Sequence, residues 1–147
     1  MGQSASYQEL LDRFEEIKYR YEVLNDVDVL EAFSIMRDSS SLLASYESMV
    51  ADAVKLSADM ERNAKATEAR ISCELSPKPT EGARRAACDQ TVIQAWEAYS
   101  ETVRNQKYAE INAKFLNRVY FDTKMVVENC YRQARPPVGT DRVVGRT

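Results

Sequence analysis

The side chains that could support catalysis in this chain are carboxylates and thiols, because the sequence contains no histidine. Pairs of acids occur at helical spacing, such as Glu97 with Glu101 and Asp12 with Glu16. Di-iron helical bundles use Glu-x-x-His repeats, which a chain without histidine cannot supply. The sequence also lacks a glycine-rich phosphate-binding loop. We therefore predict that the protein is not an enzyme, uses no cofactor, holds no metal and carries these acids on solvated helix faces.

The composition predicts an all-α fold. Glycine and proline, four of each among 147 residues, are too few for the turns of a β-sandwich or an α/β domain. No apolar run approaches the roughly 18 residues of a membrane-spanning helix, and the first four residues do not resemble the start of a signal peptide. These absences predict a cytoplasmic protein without a membrane partner.

The three cysteines are expected to be free thiols, as is usual in a cytosolic chain. Cys73 and Cys88 flank the same proline-containing loop, so pairing between them stays open. No C-x-x-C spacing or histidine indicates a metal site. Cys130 lies on an apolar stripe, where a buried thiol is more usual than a nucleophile.

Apolar residues recur at spacings of three and four along four segments, which predict helices at about 7–24, 28–37, 40–74 and 82–134. Capping boxes beginning at Ser6 and at Asp28 mark the first two starts. The run 38–41 predicts a kink or a new N-cap, and Pro77 and Pro79 predict the loop before the last helix. Residues 1–135 are expected to form one helical domain, and residues 136–147 a flexible basic tail.

The two longest predicted helices carry long apolar rows. In the first the row is unbroken: Leu43, Tyr46, Val50, Ala53, Ser57, Met60, Ala64, Thr67 and Ile71. In the second an offset resembling a stutter separates two parts: Val92, Trp96, Tyr99 and Val103, then Tyr108, Ile111, Phe115, Val119, Asp122, Val126 and Cys130. Leu30 and Phe33 are expected to continue an apolar face on the shorter helix before them.

A short loop between two long helices predicts an elongated antiparallel hairpin with a short N-terminal helix. Such a rod has little core per residue, so we expect copies of the chain to associate as a homo-oligomer. The residues expected at the interface between copies are Leu43, Tyr46, Val50, Met60, Trp96, Tyr99, Ile111 and Phe115. A light-scattering mass equal to that of one chain at micromolar concentration would remove this expectation.

Charge is distributed unevenly along the sequence. Residues 1–61 carry five Lys and Arg against thirteen Asp and Glu, a net charge of -8. Residues 62–147 carry fifteen against ten, a net charge of +5. Two interpretations stay open: the halves pack on each other, within or between copies, or the basic half forms an anion-binding face. Tyrosines such as Tyr120 and Tyr131 lie among the C-terminal cations, a combination suited to phosphates and unpaired bases of single-stranded nucleic acid.

The layout of residues 28–135 resembles the phage recombination mediator proteins of the UvsY type. The resemblance lies in a long helix with Tyr46–Val50 followed by the charged, alanine-rich stretch Val54–Ile71, a polar tip, the run Thr80–Asp89, and a basic, aromatic helix over Trp96–Arg135. It implies a ring-like oligomer in the host cytoplasm that binds single-stranded DNA, a recombinase and a single-strand-binding protein. The phosphate contacts that it implies are Arg70, Lys78, Arg84, Arg85, Lys107, Lys114 and Arg118.

Two other classes of function fit the same sequence. A phage structural or assembly protein, such as a scaffold, tail or connector component, would use the apolar rows for self-association alone. An inhibitor or adaptor would dock the acidic residues 1–61 on a basic groove of a host protein. Binding of a labelled oligonucleotide that falls steeply with salt separates the mediator from both.

Overall fold

The computed structural model describes residues 6–135, which form four α-helices and no strand. The helices are α1 (Tyr7–Glu22), α2 (Val29–Leu75), α3 (Pro79–Ala86) and α4 (Gln90–Ala134). This confirms the predicted all-α class. The expected tail, residues 136–147, lies outside the described residues.

Helix α1 begins at the predicted capping box. The hydroxyl of Ser6 accepts a hydrogen bond from the backbone N–H of Glu9, and the Glu9 carboxylate accepts one from the N–H of Ser6. Spacings of four and three place Leu10, Phe14 and Ile17 on one face, and all three are buried. The helix ends at Glu22, slightly before the predicted end at residue 24.

Helix α2 is a single helix of 47 residues, so the new helix start predicted as one alternative at 38–41 is wrong. Asp28 accepts a hydrogen bond from the N–H of Glu31 at 3.1 Å and caps the start. Ser39 lies inside the helix, fully buried, and its hydroxyl donates to the carbonyl oxygen of Met36 at 3.0 Å. A serine that bonds back to its own helix satisfies its hydroxyl without breaking the helix.

The predicted helix over 82–134 is in fact two helices. Pro79 occupies the first turn of α3, where its missing N–H is not needed. After α3 ends, Asp89 starts α4, because its carboxylate accepts hydrogen bonds from the N–H groups of Thr91 at 2.8 Å and Val92 at 3.3 Å. This N-cap, absent from the sequence-based prediction, separates α3 from α4.

The apolar row predicted along α4 differs from the buried face of the helix beyond Val103. Beyond Val103 the helix turns its smaller residues inward, and Ala109 is buried. Tyr108 is 60% exposed and Ile111 is 59% exposed, so the predicted row is wrong at these two positions. At 3.6 residues per turn, Ala109 and Leu116, which are seven residues apart, lie on the same face of the helix, and both are buried.

The described residues divide into two compact units. The first unit takes residues 6–42 and 116–135, and its core joins α1 to parts of α2 and α4. Its buried apolar residues are Leu10, Phe14, Ile17, Ala32, Ile35, Leu42, Leu116, Val119 and Val127.

The second unit takes residues 43–115. Within it Ser57 donates a hydrogen bond to Gln106 at 3.1 Å, and Trp96 donates one to Glu68 at 3.1 Å. Since residue numbers rise on α2 as they fall on α4, the two long helices run antiparallel in this unit. The buried apolar residues of the unit are Tyr46, Ala64, Ile71, Ala86, Val92 and Ala109.

Gly82 allows α3 to lie directly against α2. A Cβ atom built on Gly82 would lie 2.5 Å from the carbonyl oxygen of Ser72 and 2.7 Å from its hydroxyl oxygen. No larger residue fits so close to a backbone atom, so glycine fixes the position of α3 in the second unit.

Candidate interaction surfaces

The seven cations that we predicted to contact phosphates are all exposed, but three of them are paired with acids on their own helix. Arg70 lies 3.0 Å from Glu74, and Lys107 lies 3.5 Å from Glu110. The hydrogen bond from Gln106 and, to a smaller extent, the positive charge of Lys107 lower the pKa of Glu110. A cation beside an ionised carboxylate is a weaker partner for a phosphate.

Arg85 is the third paired cation, and it has a structural contact as well. Its guanidinium forms an ion pair with Glu81 one turn earlier on α3. It also donates a hydrogen bond of 3.3 Å to the carbonyl oxygen of Leu75, the last residue of α2. Arg85 therefore helps to hold α3 against the end of α2.

Lys78, Arg84 and Lys114 are exposed, and none forms an ion pair with a described residue. Lys78 and Arg84 lie at the two ends of α3, and Lys114 lies on α4 in the same unit. Arg118 belongs to the first unit, where its charge acts on Tyr21. The structure thus places six of the seven predicted cations in one unit and leaves three of those six unpaired.

The residues predicted at an interface between copies occupy different environments. Tyr46 is only 2% exposed within one chain, which leaves almost none of its side chain to a second copy. Ile111 faces solvent. The other six are half-buried, which leaves part of each side chain accessible: Leu43, Val50, Met60, Trp96, Tyr99 and Phe115.

Three pairs of large apolar side chains lie exposed on the long helices at spacings of three or four. On α2 the pair is Leu30 and Phe33, with exposed fractions of 85% and 50%. On α4 one pair is Tyr108 with Ile111, and the other is Phe121 (51%) with Met125 (60%). The members of each pair share a helix face. Sequence reasoning had assigned the first two pairs to apolar faces, and it had missed Met125.

Trp96 is partly buried against a small cluster in the second unit formed by Ile71, Ala86 and Val92. Its ring meets that of Tyr99 edge to face, with centroids 5.8 Å apart. Together with the hydrogen bond to Glu68, these contacts hold the indole in one orientation.

The first unit contains a polar network that sequence reasoning missed. The Arg20 guanidinium donates to Glu31 at 2.7 Å, to Ser34 at 2.8 Å and to Asp38 at 2.8 Å. The hydrogen bond to Glu31, with the one to Asp38, raises the pKa of Arg20. These contacts join α1 to α2. The sequence gives little sign of these contacts, because they form only once α1 and α2 lie side by side.

The three cysteines are free thiols, as predicted, so Cys73 and Cys88 are not paired in this structure. Both are exposed. Cys130 is half-buried rather than fully buried, and its thiol lies 3.9 Å from the backbone carbonyl oxygen of Asp26.

Within residues 6–135, no group of three or more His, Cys, Asp or Glu side chains is placed to hold a metal ion. No helix of that range has both the length and the apolar character needed to cross a membrane. Comparisons of the chain with protein-family models, curated proteins and solved structures found no match.

Proposed function

We propose that the protein is a non-enzymatic assembly protein that acts as a homo-oligomer, with the exposed apolar faces of its long helices as the contact surfaces. The observation that carries this proposal is the exposure of three apolar pairs at helical spacing. Among them, Tyr108 and Ile111 lie on one face of α4. This is the scaffold-like alternative of the sequence analysis.

Leaving these large apolar side chains in water costs free energy that burial against another surface would recover. Burying one large apolar side chain is worth about 1.5–3 kcal/mol. Exposed apolar patches of more than a few hundred Å² are uncommon on soluble monomers and often mark interaction sites. A second copy is the favoured partner because the acidic residues 1–61 of one chain complement the basic residues 62–147 of another.

Two differently tagged copies of the chain, expressed together, test this proposal by co-purification. We expect the double variant Tyr108→Ser with Ile111→Ser to reduce recovery of the second copy by roughly a factor of ten, because two apolar contacts are lost. The matched control is Tyr7→Ser with Val23→Ser, which removes exposed side chains of similar size that lie outside the two long helices. Equal recovery of both double variants would contradict the proposal.

A second candidate is binding of single-stranded DNA, as in a phage-type recombination mediator that also contacts a recombinase and a single-strand-binding protein. The observation that favours it is the set of unpaired exposed cations Lys78, Arg84 and Lys114. Free cations can replace the counterions of phosphates, which makes binding depend steeply on salt. The ion pairs of Arg70, Arg85 and Lys107 weaken this candidate relative to assembly.

Fluorescence anisotropy with labelled oligo-dT at low and physiological salt tests the second candidate. If it is correct, changing Lys78, Arg84 and Lys114 together to Gln abolishes most of the binding and flattens its salt dependence. The control changes Arg70, Arg85 and Lys107 to Gln, which removes the same charge from paired positions. No binding at low salt, or equal losses in both triple variants, would exclude DNA binding through the unpaired cations.

A further inference from the structure

A groove of about 660 Å³ opens on the second unit between α2 and the N-terminal part of α4. Its apolar lining includes Val92, Ile93 and the indole of Trp96. Carboxylates from both helices also line it: Glu68 on α2, and Glu97 and Glu101 on α4. The groove therefore combines an aromatic surface with negative charge.

The negative charge of the groove is only partly compensated. Glu97 and Glu101 lie one helical turn apart, are exposed, and form no ion pair with a described residue. Other acids on these helices do have such partners, as Glu61 has in Lys65 at 2.7 Å. Arg104 is the one cation among the residues that line the groove. Two like charges at this spacing repel each other, and a bound cation would relieve the repulsion.

Trp96 supplies the second element of recognition. Its Nε1 group donates to Glu68 at 3.1 Å, and its edge-to-face contact with Tyr99 restrains the ring. The face of an indole is the best aromatic surface for a cation. A guanidinium group can stack on such a ring while its N–H groups reach carboxylates at the rim. The groove thus suits an arginine side chain better than an apolar one.

The most suitable arginines are in the C-terminal segment of the chain. Residues 132–147 contain Arg132, Arg135, Arg142 and Arg146 with Asp141 as the one acid, a net charge of +3. Arg132 and Arg135 are exposed and form no ion pair with a described residue. This segment therefore complements the groove in charge and carries the side-chain type that fits an indole.

We propose that the Trp96 groove of one copy binds the arginine-bearing segment 132–147 of a second copy. This inference rests on the proposed self-association and specifies one of its contacts. The groove and the segment are different parts of the chain, so the contact is head-to-tail. Repeated head-to-tail contacts build closed rings or open filaments, whereas a self-complementary patch builds a dimer.

A synthetic peptide of residues 132–147 tests the groove directly, with Trp96 as the reporter. The full-length chain contains one tryptophan, and the peptide contains no aromatic residue, so all indole emission comes from Trp96. We expect saturable binding that weakens about tenfold in the double variant Glu97→Gln with Glu101→Gln. The control Glu15→Gln with Glu22→Gln, on α1, should bind the peptide as the wild type does.

A peptide with its four arginines replaced by glutamine should give no response, and excess wild-type peptide should lower the oligomer mass. Equal binding by the two double variants, or by the two peptides, overturns the groove assignment. An oligomeric chain without a peptide response overturns the groove alone and leaves self-association standing. A chain that stays monomeric while it binds the peptide overturns the assignment to a second copy.

Discussion

Tyr21 on α1 donates a hydrogen bond of 2.6 Å to the carboxylate of Asp122 on α4, 101 residues later in the sequence. The contact lies in the first unit and ties its N-terminal helix to the C-terminal part of α4. The hydrogen bond to Asp122, with burial and the negative charge of Asp122, raises the pKa of Tyr21.

Removing this hydroxyl should destabilise the protein. We expect Tyr21→Phe to lower the free energy of unfolding by about 1–2 kcal/mol, since the lost bond is partly buried and its acceptor is charged. Urea denaturation followed by circular dichroism measures the change. Tyr19→Phe is the control, because Tyr19 is 67% exposed and its change should stay within about 0.5 kcal/mol. Equal effects of the two variants would show that the bond contributes nothing.

The same contact predicts a specific response to alkaline pH. Since the pKa of Tyr21 is higher in the folded protein than the ordinary value of 10.0, its contribution to stability is fully present below pH 10.0. It is lost as the pH rises through the raised folded value, because the folded state then holds more protons than the unfolded state. The stability difference between wild type and Tyr21→Phe should therefore shrink above pH 10.0 in denaturation series. A difference that is constant or grows across that range would contradict the assignment.

Gly82→Ala should be destabilising, against the usual trend for helices. At an ordinary helix position this change stabilises by about 0.5–1 kcal/mol. Here the added Cβ would meet the Ser72 carbonyl oxygen at 2.5 Å, and such overpacking costs about 1–3 kcal/mol. Thermal denaturation shows whether Gly82→Ala raises or lowers the stability of the protein. Ala83→Gly on the exposed side of α3 serves as reference and should cost about 1 kcal/mol through helix propensity alone. A more stable Gly82→Ala protein would mean that α3 does not lie against α2.

Asp89→Ala should weaken the start of α4 by about 1 kcal/mol, because the carboxylate accepts two backbone hydrogen bonds. Asp89→Asn should retain most of the stability, since an amide oxygen can accept the same bonds. Hydrogen exchange at the N–H groups of Thr91 and Val92 provides a local readout, which should accelerate in the Ala variant and not in the Asn variant. Unchanged exchange in both variants would show that the Asp89 carboxylate does not cap α4.

Features that depend on residues close together in the sequence were predictable from it. The all-helical class, the capping box at Ser6 and the buried row through Ala64 and Ile71 all follow from local spacing. The serine run at 38–41 misled the prediction because a serine hydroxyl can either cap a helix or bond back inside one. Ser39 does the second.

The inward face of α4 depends on tertiary packing. Large apolar residues are usually predicted to be buried, and for this reason the sequence-based prediction includes Tyr108 and Ile111 in the buried row. In the structure Ala109 takes the buried position. For the candidate surface, the spacing of Arg85 after Glu81 already carried the signal for an ion pair. The groove at Trp96 could not be predicted, because it forms between two antiparallel helices whose register the residue types alone do not specify.

The most direct test of the proposed assembly is the mass of the wild-type chain in solution. Size-exclusion chromatography with light scattering, run from micromolar to hundreds of micromolar chain, reports that mass against the 16.7 kDa of one chain. Self-association predicts a mass at least twice that value, falling on dilution as the equilibrium shifts. A mass of one chain at every concentration would contradict the account.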